Sequence, residues 1–209
     1  MIRRYSTLSG FVLAGGESRR MGQPKHRLVL GGETMLDRQV RLLQAVSRSV
    51  AVVGAPPGIV KLEVPALSDD IPGRGPLGGI YTALLRTRAE YNLIVGCDLP
   101  FLEARFLSYL ARVAREFQAD VTVPEDKQGR LQPLCAIYRR RALSVVRVSL
   151  QNGENKTSGF FGRVTCRVVT WREVARAGRP SQMFVNMNTP EDLEAARRRI
   201  EPATYVASA

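Results

Sequence analysis

Histidine and cysteine are scarce in this 209-residue sequence, which contains one histidine, His26, and three cysteines, Cys97, Cys135 and Cys166. An odd number of widely spaced cysteines gives neither a disulfide framework nor a zinc site. A single histidine excludes multi-histidine metal centres and leaves one imidazole as a possible base. Any chemistry is therefore expected to use carboxylates, lysine, arginine and backbone amides.

Long apolar runs are also missing. No run approaches the roughly 18 residues that a membrane span needs. The first six residues, MIRRYS, lack the apolar segment of a signal peptide. Hydrophobic residues make up 44% of the chain and charged residues 24%, which is ordinary for a globular protein and argues against disorder. We expect a cytoplasmic protein with no membrane partner.

Negative charge is under-represented: 31 basic residues stand against 19 acidic ones, for a net charge of +12, and 27 of the 31 are arginines. Such a surface attracts anions, so nucleic acid, phosphorylated small molecules and acidic lipid are all candidate ligands. The arginine bias can also reflect genome composition or heat tolerance. The basic residues are spread without interleaved aromatics or a nucleic-acid motif, so we expect no nucleic-acid partner.

Apolar strand-like runs alternate with amphipathic segments along the chain. This alternation predicts a Rossmann-like, doubly wound, mostly parallel α/β sheet with helices on both faces, in a single domain over residues 1–200 with a tail at 201–209. Ligands of such sheets bind beyond the carboxyl ends of the strands. Strands are predicted at 10–14, 49–53, 91–97, 120–124, 134–138 and 164–171, and helices at 35–47, 79–88, 103–117, 140–150 and 190–200.

The segment 13–25, LAGGESRRMGQPK, follows the first predicted strand. Gly15 and Gly16 let the backbone turn sharply, and exposed N–H groups in such a turn form an anion-binding nest. Arg20 and Lys25 add positive charge that suits a triphosphate. The spacing is neither that of a Walker A loop nor that of GxGxxG. The alternative interpretation is a surface turn in an arginine-rich chain.

Asp98 lies just beyond the predicted strand 91–97. A carboxylate there, facing a phosphate loop, is a natural Mg²⁺ ligand. The alternative is that Asp98 caps the helix that follows.

Residues 72–79 contain four glycines and two prolines. We expect no regular element there, but a rigid loop that presents backbone groups to a base or phosphate before the helix at 79–88. A flexible linker is the alternative, although the loop leads directly into an apolar helix start.

Two further segments carry polar side chains next to predicted elements. Asn186 and Asn188 alternate on an extended stretch before the last helix, where Asn188 could complete a metal or phosphate shell. Turn and capping chemistry is the alternative, and for Thr189 it is the better one. Gln132 and Tyr138 flank the strand at 134–138, where they face the second substrate or simply pack.

Several motifs follow one another in a defined order: LAGGxSxRMGxxK at 13–25, DD at 69–70, GPLGG at 75–79, CDLP at 97–100, QPL at 132–134 with Tyr138, and NxNTPED at 186–192. This series, spanning about residues 9–200, closely resembles the molybdenum cofactor guanylyltransferases, within the nucleotidyltransferase group that includes sugar-phosphate pyrophosphorylases. The N-terminal motif marks the wider group, and the combination of LAGG, GPLGG and NxNTPED is more specific.

The resemblance implies transfer of GMP from GTP to molybdopterin, giving the guanine dinucleotide cofactor and pyrophosphate. Transient contact with other cofactor-biosynthesis or acceptor enzymes is a further expectation. The chain departs from many relatives at Gly54, where they carry asparagine, so a side-chain contact to base or ribose is missing. The candidate residues are Lys25, Arg20 and Asp98 for catalysis, Leu13, Ala14, Gly15, Gly16, Lys25, Asp69, Gly78 and Asp98 for the nucleotide, Gln132, Tyr138, Asn186 and Asn188 for the pterin side, and Asp98 for Mg²⁺.

The expected mechanism is in-line attack of the pterin phosphate on the α-phosphorus of GTP, with Arg20 and Lys25 stabilising the leaving pyrophosphate. A phosphate monoester is already a nucleophile near pH 7, so no general base is required. Three alternatives stay open: another nucleotidyltransferase, such as one that uses CTP or a phosphorylated acid or sugar, a nucleic-acid-binding protein, and a regulatory module without activity. The presence of Lys25 and Asp98 argues against the last.

Overall fold

A seven-stranded sheet organises the chain in the computed structural model, which describes residues 2–15, 24, 27–55 and 63–200. The strands are β1 (Tyr5–Leu13), β2 (Val29–Leu30), β3 (Glu33–Thr34), β4 (Ser47–Val53), β5 (Ala66–Leu67), β6 (Tyr91–Gly96), β7 (Val121–Pro124), β8 (Cys135–Arg139) and β9 (Cys166–Val169). The helices are α1 (Met35–Gln44), α2 (Gly75–Arg86), α3 (Ala104–Phe117), α4 (Leu143–Gln151), α5 (Trp171–Ala177), α6 (Pro180–Met183) and α7 (Pro190–Ile200).

The main sheet has the strand order β5-β4-β1-β6-β8-β7-β9, and β2 pairs with β3 in a separate hairpin. All neighbours in the main sheet run parallel except β8, which is antiparallel to both β6 and β7. The predicted mostly parallel α/β fold in a single domain is confirmed. The predicted tail at 201–209 lies outside the described residues.

Hydrophobic side chains cover both faces of the sheet. Successive residues of a strand point to opposite faces, so Phe11 and Val12 belong to two different cores. Helices α1, α3 and α5 cover the face that contains Val12, and α2 and α4 cover the face that contains Phe11. Every residue of β6 is buried, as expected for a central strand enclosed on both sides.

The glycine-rich segment is the main local correction to the prediction. Helix α2 begins at Gly75, within the segment expected to lack regular structure. Pro76 explains the difference, because proline fits the first turn of a helix, where its missing N–H has no intrahelical partner to lose.

A second correction concerns the late strand predicted at 164–171. Strand β9 ends at Val169, because Thr170 and Glu173 form a capping box that opens α5. In the described part of the chain, no helix is both long enough and apolar enough to span a bilayer.

Candidate nucleotide site

The turns that follow β1, β4, β5 and β6 meet at one edge of the sheet. Backbone hydrogen bonds hold them together: Ala14 N–H donates to the Val53 carbonyl at 2.9 Å, Gly54 N–H to the Leu67 carbonyl at 2.9 Å, and Cys97 N–H to the Leu13 carbonyl at 3.1 Å. This is the carboxyl edge of the parallel strands, where ligands of such sheets bind. The fold therefore gathers motifs that lie far apart in the sequence.

A cavity of about 650 Å³ opens at this edge. Leu13, Gly15 and Asp69, three of the residues assigned to the nucleotide, line it together with Val53 and the first turn of α2. From α2, Gly79 lines the cavity and lies so close to β1 that a Cβ on it would be 3.1 Å from the Leu13 side chain. The absence of a side chain thus lets α2 approach the end of β1.

Ala14 and Gly78, also assigned to the nucleotide, are buried beside the cavity. The N–H of Ala14 is used in the sheet. A Cβ on Gly78 would be 3.0 Å from the Arg74 Cβ and 3.1 Å from the Ile71 carbonyl oxygen, so this glycine allows the turn before α2 to fold back closely. Direct nucleotide contact by either residue stays a prediction.

Asp69 follows β5 and places its carboxylate between the turns. Its Oδ2 lies 3.5 Å from the position of a Cβ on Gly15 and 3.3 Å from that on Gly54. Its Oδ1 is buried and has no hydrogen-bond partner among the described residues. Burial, and then the neighbouring Asp70 carboxylate, raise the pKa of Asp69. An ionised carboxylate in this position gains most from a ligand that donates hydrogen bonds.

Asp70 behaves differently although it is adjacent in sequence. Its two carboxylate oxygens accept from the Arg86 guanidinium at 2.5 and 3.1 Å, and its N–H donates to the Thr82 hydroxyl at 2.9 Å. Asp70 is therefore paired to α2, while Asp69 faces the cavity.

The glycine at position 54 is explained by its backbone. Gly54 has φ +79°, and a Cβ there would lie 2.9 Å from the Gly15 Cα and 3.0 Å from its nitrogen. Any side chain would therefore collide with the turn after β1. Gly54 thus allows the two backbone segments to approach each other closely.

Asp98 lies two residues beyond the end of β6 and is half-buried. A Cβ on Gly96 would be 2.7 Å from its Oδ1, so Gly96 makes room for the carboxylate. Asp98 does not occupy the N-cap position of α3, which belongs to Glu103. The Asp98 carbonyl accepts from the Met187 N–H at 2.9 Å, which joins the NxNTPED segment to this turn.

Asn186 and Asn188 are exposed on either side of Met187, which is buried. This alternation is that of an extended segment and sends both asparagines away from the core. The capping role of Thr189 is confirmed: its hydroxyl accepts from the Asp192 N–H at 3.2 Å, and Asp192 accepts from the Thr189 N–H at 2.9 Å.

Tyr138 is wrongly assigned to the pterin side. Its side chain is fully buried, packs against Phe160 and Phe161, and donates its hydroxyl to the Pro133 carbonyl at 2.7 Å. Burial, with the nearby Cys166 and Cys135 thiols, holds the pKa of this phenol well above its usual range. Its position in β8, between β6 and β7, explains the burial, and Tyr138 is a core residue.

Gln132 lies before β8, and its assignment to the pterin side stays a prediction. Its amide nitrogen donates to Asp126 Oδ2 and to the Arg130 carbonyl, both at 3.2 Å. Asp126, a residue that the sequence analysis missed, also accepts from the N–H groups of Gln128 and Arg130. The carboxylate of Asp126 therefore fixes both the turn between β7 and β8 and the orientation of Gln132.

Gln39 is a second residue that the sequence analysis missed. It is fully buried on α1 and donates to the Leu99 carbonyl at 2.6 Å, while Arg38 donates to the Pro100 carbonyl at 2.9 Å. Together they anchor the turn that carries Asp98. The detectable signal was a glutamine next to the apolar stripe of an amphipathic helix.

The predicted phosphate and catalytic residues Gly16, Arg20 and Lys25 lie outside the described residues. Within the described part of the chain, no three histidine, cysteine or acidic side chains converge as a metal-binding group. A divalent ion at this edge would therefore depend on few carboxylates and on the phosphates of the substrate, which is the usual mode for Mg²⁺.

The model of the MobA-like NTP transferase domain matches residues 10–165. The chain belongs to the MobA-like NTP transferase family. The MobA-like chain is 34% identical to the probable molybdenum cofactor guanylyltransferase of Carboxydothermus hydrogenoformans, covering 88% of this chain and 91% of that one. It is 32% identical to the molybdenum cofactor guanylyltransferase of Desulfosudis oleivorans, covering 93% and 96%.

Solved structures share the fold of this chain. Molybdopterin-guanine dinucleotide biosynthesis protein A from Archaeoglobus fulgidus superposes with a TM-score of 0.80 at 21% identity, covering 91% of this chain and 97% of that one. The 2-C-methyl-D-erythritol 4-phosphate cytidylyltransferase of Thermus thermophilus gives 0.67 at 16% identity, covering 92% and 98%. The resemblance predicted from the motifs is confirmed, and the chain is a nucleotidyltransferase.

Proposed function

We propose that this chain transfers GMP from GTP to molybdopterin, forming the guanine dinucleotide cofactor and releasing pyrophosphate. Relatives named as molybdenum cofactor guanylyltransferases match nearly the whole chain, which supports this reaction. The structural observation that carries the proposal is the Asp69 carboxylate, whose buried Oδ1 is unpaired among the described residues beside a cavity of about 650 Å³.

The Asp69 carboxylate favours guanine over the other bases. Guanine presents two adjacent N–H donors, on N1 and on its exocyclic amine, and an ionised carboxylate accepts both at once. The pairing edge of cytosine has a single amine beside two acceptors, which would face the carboxylate with like partial charge. A buried group that one ligand satisfies rejects an analogue that leaves it unpaired.

The phosphates of GTP would lie over the turn that follows β1. Gly15 is exposed there and lines the cavity, so its backbone can approach a ligand closely. Gly16, Arg20 and Lys25 follow Gly15 in the sequence. We assign to the two cations the charge stabilisation of the leaving pyrophosphate.

Mg²⁺ is the cofactor that the donor set fits, with Asp98 as its protein ligand. Magnesium is typically held by one or two carboxylates together with substrate phosphates, and Asp98 provides a carboxylate at the correct edge of the sheet. When bound, the ion neutralises charge on the phosphate oxygens. Gly96 leaves space for the carboxylate, and Gln39 holds the turn on which it lies.

The chain would catalyse transfer by positioning and charge neutralisation. The incoming phosphate monoester needs no general base, which agrees with a sequence that has one histidine. Asn186, Asn188 and Gln132 lie on the segments that join the Asp98 edge, and we assign them to the pterin side. Phosphate attacks the α-phosphorus, the bond to the β-phosphate breaks, and pyrophosphate carries away the electron pair.

The test combines binding with turnover. Calorimetry with Mg²⁺ would compare GTP, CTP, ATP and UTP on the wild-type protein, and a second assay would measure formation of the dinucleotide and pyrophosphate from molybdopterin. We expect GTP to bind selectively and Asp98→Asn to lose turnover while it keeps its fold. Preference for CTP would make the chain a cytidylyltransferase, and full activity of Asp98→Asn would contradict the metal assignment.

A further inference from the structure

The end of the sheet opposite the nucleotide cavity carries a groove of about 890 Å³. It is lined by the start of β1, by one side of α3 and by the end of α5. Tyr5 in this groove and Leu13 in the cavity are the first and last of the nine residues of β1, about 26 Å apart along an extended strand. A ligand of this groove therefore does not compete with the nucleotide.

Five exposed arginines line this groove: Arg3, Arg105, Arg112, Arg115 and Arg176. Glu116 is the one acidic residue among the described residues that line it, so the local formal charge is 5 − 1 = +4. Arg105, Arg112 and Arg115 recur on one side of α3 at helical spacing. Charge of one sign concentrated in a concave surface raises the local concentration of anions.

The floor of the groove is apolar and rigid. The Tyr5 ring is 6% exposed, and its hydroxyl donates to the Ser108 carbonyl at 3.3 Å. The Ser108 hydroxyl accepts from the Arg3 N–H at 3.0 Å and so pins the N-terminal segment to α3. Ile2, at 52% exposure, and the ring of Tyr109 add apolar surface. Arginine stems extend this apolar surface.

The aromatic rings in the groove already carry cations. The guanidinium carbons of Arg3 and Arg115 lie 5.4 and 5.3 Å from the centroid of the Tyr5 ring, and that of Arg112 lies 5.1 Å from the Tyr109 ring. Single-stranded nucleic acids need free aromatic faces for base stacking. In this groove guanidinium groups already cover the aromatic rings, the floor is apolar and the rims are basic. These features suit a polypeptide that carries both carboxylates and apolar side chains.

We propose that this groove is a docking site for an acidic polypeptide segment of a partner protein, one whose glutamates or aspartates alternate with apolar side chains. The carboxylates pair with the arginines on α3, and the apolar side chains cover Ile2 and Tyr109. Complementary charge mainly raises the rate of association and selects the partner. The proposal is independent of the reaction at the nucleotide cavity.

The test uses a labelled 12-residue peptide of alternating glutamate and leucine, with a matched peptide in which glutamine replaces glutamate, and a 20-nucleotide thymidine strand. Fluorescence anisotropy would measure each on the wild type, on Arg105→Glu/Arg112→Glu, and on the control Arg147→Glu/Arg198→Glu, which changes the net charge equally on other helices. We expect the acidic peptide to bind the groove variant about tenfold more weakly than the wild type. Its affinity for the control variant should stay within about twofold of the wild-type value.

Four outcomes would overturn the proposal. Equal weakening by both double variants would mean that only net charge matters. If the acidic peptide did not bind the wild type, or if the glutamine peptide bound equally well, charge complementarity would not explain binding to this groove. Stronger, groove-dependent binding of the thymidine strand would assign the groove to nucleic acid. Unchanged melting temperature and unchanged GTP turnover in the groove variant would show that it is folded and that its nucleotide site is intact.

Discussion

The Asp69 carboxylate is held in the cavity at a cost in stability that a guanine base would offset. Asp69→Asn removes the charge but keeps the shape of the side chain. We expect GTP to bind about 10- to 100-fold more weakly, because hydrogen bonds to a charged acceptor are lost. The free variant should melt at a higher temperature than wild type, because an ionised group with an unpaired oxygen no longer has to be buried. Calorimetry and thermal unfolding measure the two effects.

Asp70→Asn is the matched control for that substitution. Asp70 pairs with the exposed Arg86 rather than facing the cavity. GTP affinity should therefore stay close to the wild-type value. Equal GTP affinity in Asp69→Asn and wild type would remove Asp69 from base recognition.

The raised pKa of Asp69 gives GTP binding a pH dependence. Only the ionised carboxylate accepts two hydrogen bonds, so affinity should be full above the pKa of Asp69 and fall as the pH drops through it. Because that pKa lies above the ordinary aspartate value, the loss should begin at a higher pH than for an exposed carboxylate. Calorimetry in a series of buffers measures this, and the dependence should be absent in Asp69→Asn.

Gly54 offers a test of the close approach between the turns after β1 and β4. Gly54→Ala forces a Cβ to 2.9 Å from the Gly15 Cα at φ +79°. We expect a loss of about 2–5 kcal/mol of unfolding free energy, of which about 1–2 is the left-handed backbone and the remainder overpacking. Gly129→Ala is the control, since its φ of +74° is similar and its Cβ would meet nothing within 4 Å. Equal losses in urea denaturation would refute the packing argument.

At the scale of elements, apolar runs predicted the buried strands well and failed where a local motif overrode composition. Pro76 and its glycine neighbours suggested a loop, yet proline is favourable in a first helical turn, and α2 begins at Gly75. The sequence did not predict that β8 runs antiparallel, because the direction of a strand depends on which strands become its neighbours. The sequence also did not show that β8 lies between β6 and β7, so Tyr138, near the end of β8, was assigned to the site although it lies in the core.

Helix α1 reaches the site through Gln39, which holds the turn that carries Asp98. In Gln39→Leu, the Leu99 carbonyl loses its donor at a similar side-chain volume, at a cost of about 1–3 kcal/mol. We expect the Mg²⁺ concentration for half-maximal turnover to rise several-fold while the KM for GTP changes little. Gln44→Leu, on the same helix, serves as the control. A loss of stability without any change in Mg²⁺ dependence would make Gln39 purely structural.

On the scale of the whole molecule, the sequence predicted an anion-attracting surface but not its location. The CDLP motif placed Asp98 at the carboxyl edge of the sheet, directly after a predicted strand. Nothing in the spacing indicated that five arginines would line one groove at the other end, because they come from α3, from α5 and from the segment before β1. Part of the net charge of +12 therefore lies away from the nucleotide cavity.

The acid stability of the fold should depend on Glu173, which joins α5 to β9. Burial alone would raise its pKa, but hydrogen bonds from the Arg167 guanidinium and from Thr170 lower the pKa to about 2. A carboxyl whose pKa is lowered by folding stabilises the folded state at pH values above the pKa that it has in the unfolded chain. This contribution is lost as the pH falls towards 2. We expect a loss on the order of 2 kcal/mol between pH 4.5 and pH 2. Urea titrations at several pH values should show a weaker dependence for Glu173→Gln, and parallel curves for both proteins would rule out this contribution.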